Sequence, residues 1–319
     1  MTTWIVGAGG QDGKVLADQL SVLGEQLILQ FRTEILFPDG SVEKIRNMSA
    51  SMAAELIKEF SIDKIYFLAA YSRPKSIRGL DKDSASDNFI QIEKLFENIC
   101  KAVIIVGTQI KLFLASSSLI FSGSFQSPQN EETIPSPLEP YAISKVRMSE
   151  TLFKYSRKSE QIKPIVGIFY NHESVFRTEF YLSHKVINHA LDVYDGKKEK
   201  KILKLRGENS RFDVSHANDF MRNLIILMNT NFTGNCVFSS GYSIGIKDFC
   251  KLVFQELNLN YKEHIYFETE SQGFSREILL QGDNSLLKRL IPQPEVFTPE
   301  QTIRRLVGDW QTKRENIAK

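Results

Sequence analysis

Tyr141 and Lys145 stand four residues apart in Tyr141-Ala142-Ile143-Ser144-Lys145. On a helix that spacing puts both on one face, about one turn apart. An ammonium beside a phenol favours the phenolate, so the pair is expected to lower the Tyr141 pKa. The phenol then becomes a proton donor and acceptor near neutral pH. Chance supplies Tyr-x-x-x-Lys often, and alone the pair carries little. Two other features accompany it. Ser116-Ser117-Ser118 follows an apolar stretch about 24 residues upstream, and Gly7, Gly10 and Gly13 open the chain. The three features together read as a nicotinamide-dependent redox site, with Ser117, Tyr141 and Lys145 as its catalytic groups.

The glycines lie in Trp4-Ile5-Val6-Gly7-Ala8-Gly9-Gly10-Gln11-Asp12-Gly13. Residues 4–6 read as a buried strand. Residues 12–23 read as an amphipathic helix with Val15, Leu16, Leu20 and Leu23 on one side. A strand, a tight glycine turn and a helix start make a pyrophosphate site, because the backbone can approach the phosphates and the helix offers free N–H groups. The spacing is Gly-x-x-Gly-x-x-Gly, not the Gly-x-Gly-x-x-Gly of simple dehydrogenases. An ordinary tight strand-to-helix turn is the bland alternative.

The elements that must position these groups alternate. Strands are expected at 27–31, 64–70, 111–115 and 164–170, and helices at 51–60, 84–106 and from Tyr141 onward. This alternation predicts an α/β fold, a Rossmann-type doubly wound parallel sheet. In such sheets ligands bind at the carboxyl ends of the strands. The glycine turn, Ala69-Ala70, the serines and Asn171 all fall there. Residues 1–170 form the expected NAD(P)-binding domain. Residues 171–319 form a smaller C-terminal substrate-binding region, interleaved with the last strands of the sheet and carrying helices near 181–194, 216–228, 246–257 and 299–310.

Composition bounds the function. The chain has 319 residues and a formal charge of +2, which gives no case for nucleic-acid binding. The run Lys197-Lys198-Glu199-Lys200-Lys201 reads as a solvated loop. No apolar stretch approaches membrane-spanning length, and a strand begins at once, so neither a membrane span nor a signal peptide is expected. Cys100, Cys236 and Cys250 are widely spaced and lack metal-ligand partners, which suits buried thiols in a reducing cytoplasm and no metal.

Over nearly its full length the chain resembles the GDP-mannose 4,6-dehydratase branch of the extended short-chain dehydrogenases/reductases. The resemblance rests on Gly10-Gln11-Asp12-Gly13, Leu68-Ala69-Ala70, Ala115-Ser116-Ser117-Ser118 and Pro140-Tyr141-Ala142-Ile143-Ser144-Lys145. It continues through Asn171-His172-Glu173-Ser174 with Arg177, Glu179 and Lys185, then Arg211-Phe212-Asp213, His216-Ala217-Asn218-Asp219 and Gly282-Asp283. The Asn-His-Glu-Ser element makes it specific. The resemblance implies a GDP-linked nucleotide-sugar substrate and an NADP cofactor. It assigns Gly7, Gly10, Gln11, Asp12 and Gly13 to the cofactor pyrophosphate. Arg32, after the second strand, suits a 2′-phosphate and hence NADP, while Glu34 keeps NAD open. Ala69, Ser72, Lys145, His172 and Arg177 match further cofactor positions, and Asn171, Lys185 and Arg211 match substrate positions. Without the resemblance, Arg177 and Lys185 read as helix surface charges and His172 as a satisfied loop residue.

One departure bears on the reaction. The family carries Thr at the position of Ser117 and Glu two residues later, where this chain has Leu119. Oxidation at C4 needs Tyr141, Lys145, Ser117 and a hydride acceptor. Removing water across C5–C6 also needs an acid/base, which leucine cannot be. Glu131, Glu132 and Glu139, in the proline-rich loop, are the nearby acids. A strand-like alternation would place residue 119 on the same side as Ser117. Leu138, Val175-Phe176 and Asn47 also depart from the family, and residues 33–38 shorten its tetramer loop. A ketoreductase, oxidase or epimerase is therefore expected ahead of a true 4,6-dehydratase, with a catalytically silent cofactor-binding scaffold as the third reading. A homodimer is expected through the helices at 84–106 and Tyr141, with Leu95, Phe96, Ile99, Val146, Leu152 and Phe153 as apolar contacts.

Overall fold

The computed structural model describes residues 1–45, 47–70, 82–197, 201–208, 210–268 and 279–318. Ser72 therefore lies outside the described residues, as do Lys198, Glu199 and Lys200. The chain begins with β1 (Thr2–Val6), α1 (Gln11–Val22) and β2 (Gln26–Gln30). A hairpin of β3 (Glu34–Leu36) and β4 (Val42–Lys44) follows, then α2 (Ala50–Glu59), β5 (Ile62–Phe67), α3 (Lys82–Val106) and β6 (Ile110–Ser117). Next come α4 (Pro140–Ser156) and β7 (Ile162–Phe169), with Pro140 at the start of α4, where its missing N–H costs nothing.

The later part contains β8 (His172–Glu173), α5 (Leu182–Tyr194), β9 (Leu203–Leu205), β10 (Arg211–Phe212) and β11 (Ser215–His216). It continues with α6 (Ala217–Met228), β12 (Gly234–Phe238), β13 (Ile244–Gly245) and α7 (Ile246–Gln255). β14 (Ile265–Phe267), α8 (Ser285–Leu290) and α9 (Pro299–Ala318) complete it.

Eight strands form the main sheet in the order β12-β7-β6-β5-β1-β2-β3-β4. The first six in that order pair in parallel, and the β2–β3 and β3–β4 pairs are antiparallel. Both faces are buried, and the two-residue period of a strand divides its side chains between them. Trp4 and Val6 join the core under α2, α3 and α4, whereas Ile5 joins the core under α1 and α6. Leu112 and Leu114 face the first, Phe113 and Ala115 the second. A third core, built from α5, α7 and α9, holds the C-terminal region together. The two halves are interwoven, since β12 pairs with β7 and α6 packs on α1. Arg305 of α9 adds a two-pronged ion pair to Asp219 of α6, at 2.7 and 2.6 Å.

The parallel strands wind outward from β1 in both directions, first to β2 and then to β5. The carboxyl ends of β1 and β5 therefore flank the switch point at which open α/β sheets bind ligands. The β3–β4 hairpin is an addition that the expected loop at 33–38 lacked. Its signal was legible: Asp39-Gly40 separates two strand-like triplets, and Gly40 takes φ +86°. The hairpin is seated by Phe37, which stacks on Phe60 at 5.3 Å.

Of the apolar residues expected at a dimer contact, Phe96, Ile99 and Leu152 are fully buried within the protein's own core. They pack on the sheet instead. Leu95, Val146 and Phe153 are half-buried against the same core. Among the described residues, no helix is long and apolar enough to cross a membrane.

Candidate active site

The turn after β1 is shaped by two glycines that the fold itself requires. Gly7 has φ +98°, and a Cβ there would lie 2.6 Å from the Ala69 backbone nitrogen. A Cβ on Gly13 would lie 2.4 Å from the Gly7 carbonyl oxygen. Both contacts are with backbone, so neither neighbour can move aside cheaply. Gly10 is different. It has an ordinary φ of −74°, is exposed, and a Cβ there would meet nothing closer than 3.5 Å. No side chain caps α1, which begins at Gln11. An open glycine before an uncapped helix start is a cradle that a side chain would fill, and it fits a dinucleotide's diphosphate. Arg32 lies exposed just past β2, its guanidinium donating to Asn88 of α3 at 3.1 Å. That position fits a phosphate on the adenosine ribose. Ala69 contributes backbone against Gly7.

Across the switch point, β6 ends at Ser117 and α4 carries Tyr141 and Lys145. The Ser117 side chain lies near the Tyr141 hydroxyl and acts to lower its pKa. The Lys145 ammonium donates to the Ala115 carbonyl at 2.7 Å and lies 5.8 Å from the Tyr141 ring centroid. Helix and strand thus bring the three catalytic candidates together. Their electrostatics correct the expectation from spacing. Burial, the largest effect, pushes the Tyr141 phenol up to about 12, and Ser117 only partly opposes it. Burial also lowers Lys145 to about 8, with Asp12 acting in the other direction. Spacing alone could not show that both groups lose their water. The free protein therefore holds Tyr141 as a neutral phenol, poised to donate a proton.

Leu119 also departs from expectation. Residues Ser118–Phe121 form a 3-10 turn, and the Leu119 amide donates to the Ser117 hydroxyl at 3.3 Å. The two-residue alternation of a strand therefore does not carry past Ser117, and it cannot place residue 119 on the side of Ser117. The acids of the proline-rich loop are placed elsewhere. Glu131 accepts from the Val237 amide of β12 at 2.7 Å, and Glu132 is exposed. Glu139 sits at the N-terminus of α4.

The segment from 171 to 177 closes over the start of α1. His172 Nε2 lies 2.8 Å from Asp12 Oδ1, and its Nδ1 lies 2.7 Å from the Tyr170 carbonyl. Gln11 donates to the His172 carbonyl at 3.0 Å and accepts from Ser174 at 3.0 Å. Arg177 donates to that same carbonyl and to Glu173 Oε2, each at 2.9 Å, and lies over the Tyr181 ring. Arg177 is thus part of a buried network, not a surface charge on a helix. The side chains of Gln11 and Asp12 are engaged with this segment, and the bare helix start is what remains for a phosphate.

Asn171 is exposed, and its carbonyl accepts from Ser215 at 3.0 Å. Lys185 projects from the first turn of α5 and is also exposed. Arg211, exposed on β10, donates to Ser243 through Nε at 3.2 Å. These three stand on separate elements, as loose polar groups facing solvent. Asn47 is exposed ahead of α2.

Glu173 was not singled out as a site residue. It is buried and holds both Arg177 and, at 2.5 Å, the Ser183 hydroxyl. Its four-residue spacing from Arg177 was the available signal. Asp213 was missed likewise. Fully buried, it accepts from the Ser240 amide at 3.0 Å, and burial pushes its carboxyl up to about 7.

A sequence profile of the family described as GDP-mannose 4,6 dehydratase matches residues 4–309. A GDP-mannose 4,6 dehydratase of Drosophila melanogaster is 23% identical over 271 residues, which cover 80% of this chain and 67% of that protein. RMD from Pseudomonas aeruginosa, solved with NADPH, superposes with a TM-score of 0.78 at 15% identity, covering 98% of this chain and 99% of the other. TunA, described as an NAD-dependent NDP-hexosamine 5,6-dehydratase, superposes with a TM-score of 0.78 at 19% identity, covering 98% of each. At such identities the two structures establish the fold.

Proposed function

The chain belongs to the GDP-mannose 4,6 dehydratase family, and we propose that it is an NAD(P)-dependent enzyme acting by hydride transfer at C4 of a GDP-linked sugar. The observation that carries this reading is the group of half-buried Ser117 and Tyr141 with buried Lys145, beside the glycine cradle. When bound, the dinucleotide supplies or accepts the hydride. Tyr141 gives its phenolic proton to the sugar oxygen as C4 is reduced, and takes it back in the reverse direction. Ser117, near the Tyr141 hydroxyl, holds that oxygen. Lys145, fixed on the Ala115 carbonyl, offsets the charge of the phenolate left behind.

A phenol held neutral can give its proton to a C4 oxygen, as a ketoreductase requires. Leu119 supports the same choice, because it supplies no acid/base next to Ser117, and Glu131 is engaged with β12. The test is to incubate the wild-type protein with NADPH or NADP and either GDP-mannose or a GDP-4-keto-6-deoxy sugar. Product mass is then followed over time. A gain of two hydrogens by the keto sugar is expected. Loss of water from GDP-mannose would establish a true 4,6-dehydratase instead, and no change in mass or in C4 configuration of either substrate would favour a silent scaffold.

Arg32 supports NADP(H) as the preferred cofactor, its exposed guanidinium matching a 2′-phosphate. Arg32→Ala is expected to erase the preference, read by calorimetry with NADPH and NADH in parallel. Equal affinity of the wild type for the two would contradict it. The working unit in this reading is a cytoplasmic homodimer through α3 and α4. A single species of monomer mass by sedimentation at micromolar concentration would count against it.

A further inference from the structure

The mechanism leaves the buried His172 unused. His172 is 7% exposed, and both ring nitrogens face acceptors, the Tyr170 carbonyl and the Asp12 carboxylate. A carbonyl can only accept, so Nδ1 carries a proton. A carboxylate likewise favours a proton on Nε2, and the ring so held is an imidazolium. It is clamped between Phe220, stacked at 4.8 Å, and the edge of Phe169 at 5.3 Å. Its partner Asp12 is the second residue of α1, at the helix start that would receive the diphosphate. A carboxylate there repels the ligand that the uncapped helix attracts.

We propose that the His172 proton compensates the Asp12 carboxylate, so that the N-terminus of α1 can accept a dinucleotide's diphosphate. His172 is then a positioning residue whose charge sets cofactor affinity. This inference rests on the cofactor reading above. Other groups bear on the same place. Arg177 acts on both Asp12 and His172, and Glu173 pairs with Arg177. Asp12 in turn acts on Tyr141 and Lys145. The His172 pKa is raised; burial works against its charge, but the Asp12 charge and hydrogen bond outweigh it. The sign follows. Below the raised pKa the ring is charged and Asp12 is compensated. As pH rises through that value the compensation is lost, and affinity falls.

The experiment measures NADH affinity by calorimetry for wild type and His172→Gln between pH 6 and pH 9. NADH lacks the 2′-phosphate, and taking the ratio of the two proteins cancels Lys145 and every other shared group. The wild type is expected to bind roughly tenfold more tightly at pH 6, the ratio approaching one at pH 9. A ratio that is the same at both pH values overturns the inference, because lost packing alone does not titrate. Should His172→Gln fail to fold, Asp12→Asn serves instead. Its affinity relative to wild type is expected to rise with pH, the ratio again cancelling Lys145, and parallel curves overturn the inference. If neither NADH nor NADPH binds the wild type at any pH, the cofactor reading fails and the inference with it. Binding with pH-independent ratios removes the inference alone.

Discussion

Replacing Tyr141 by Phe is expected to lower turnover by roughly 10²–10⁴-fold, the usual contribution of a positioned general acid or base. Dinucleotide affinity should be nearly unchanged, because the phenol transfers a proton and contributes little to holding the dinucleotide. The phenylalanine ring keeps the packing and removes only the proton. Lys145 should shape the pH profile of the wild type. Its ammonium loses its proton as pH rises through about 8, and the phenolate then loses its counter-charge. The reductive rate is expected to fall on that alkaline limb. Single-turnover rates at saturating cofactor check both points. A Tyr141→Phe enzyme retaining more than about a tenth of the wild-type rate would place the proton donor elsewhere.

Two glycines three residues apart are expected to fail in different ways. Gly13→Ala puts a methyl 2.4 Å from the Gly7 carbonyl oxygen and 2.6 Å from Ala8 Cα. Backbone cannot step aside as a side chain can, so the cost should reach about 2 kcal/mol or more. For a chain of this size that lowers the melting temperature by roughly 3 °C or more. Gly10→Ala meets nothing closer than 3.5 Å and needs no unusual φ. Its melting temperature should stay within about 2 °C of wild type, while dinucleotide affinity falls about tenfold or more as the methyl enters the cradle. Thermal melts with paired calorimetry separate the two. Full cofactor affinity in Gly10→Ala would show that the diphosphate does not approach this turn.

Most of the sheet could be read from local pattern, because the central strands are apolar on both faces and each helix repeats every three to four residues. β1, β2, β6, β7 and the helices between them fell where periodicity put them. The β3–β4 hairpin was missed although Asp39-Gly40 announced it, because its strands are only three residues long and too short to show a period.

Local pattern also located the chemistry. Glycine spacing placed the cradle, and the Tyr141–Lys145 spacing placed the helix opposite it. What the chain order could not decide was the environment of those groups. Tyr141 is raised rather than lowered because strands and loops distant in sequence exclude water from it. The His172–Asp12 pair joins residues 160 apart, which no local spacing encodes. Residue 119 leaves the strand register because the chain turns at Ser117, capped by that residue's own hydroxyl. Sequence by itself determined which groups are present and on which elements. Only the tertiary structure decided their charge and partners, because desolvation and hydrogen bonding depend on what packs around a group, not on what adjoins it in the chain.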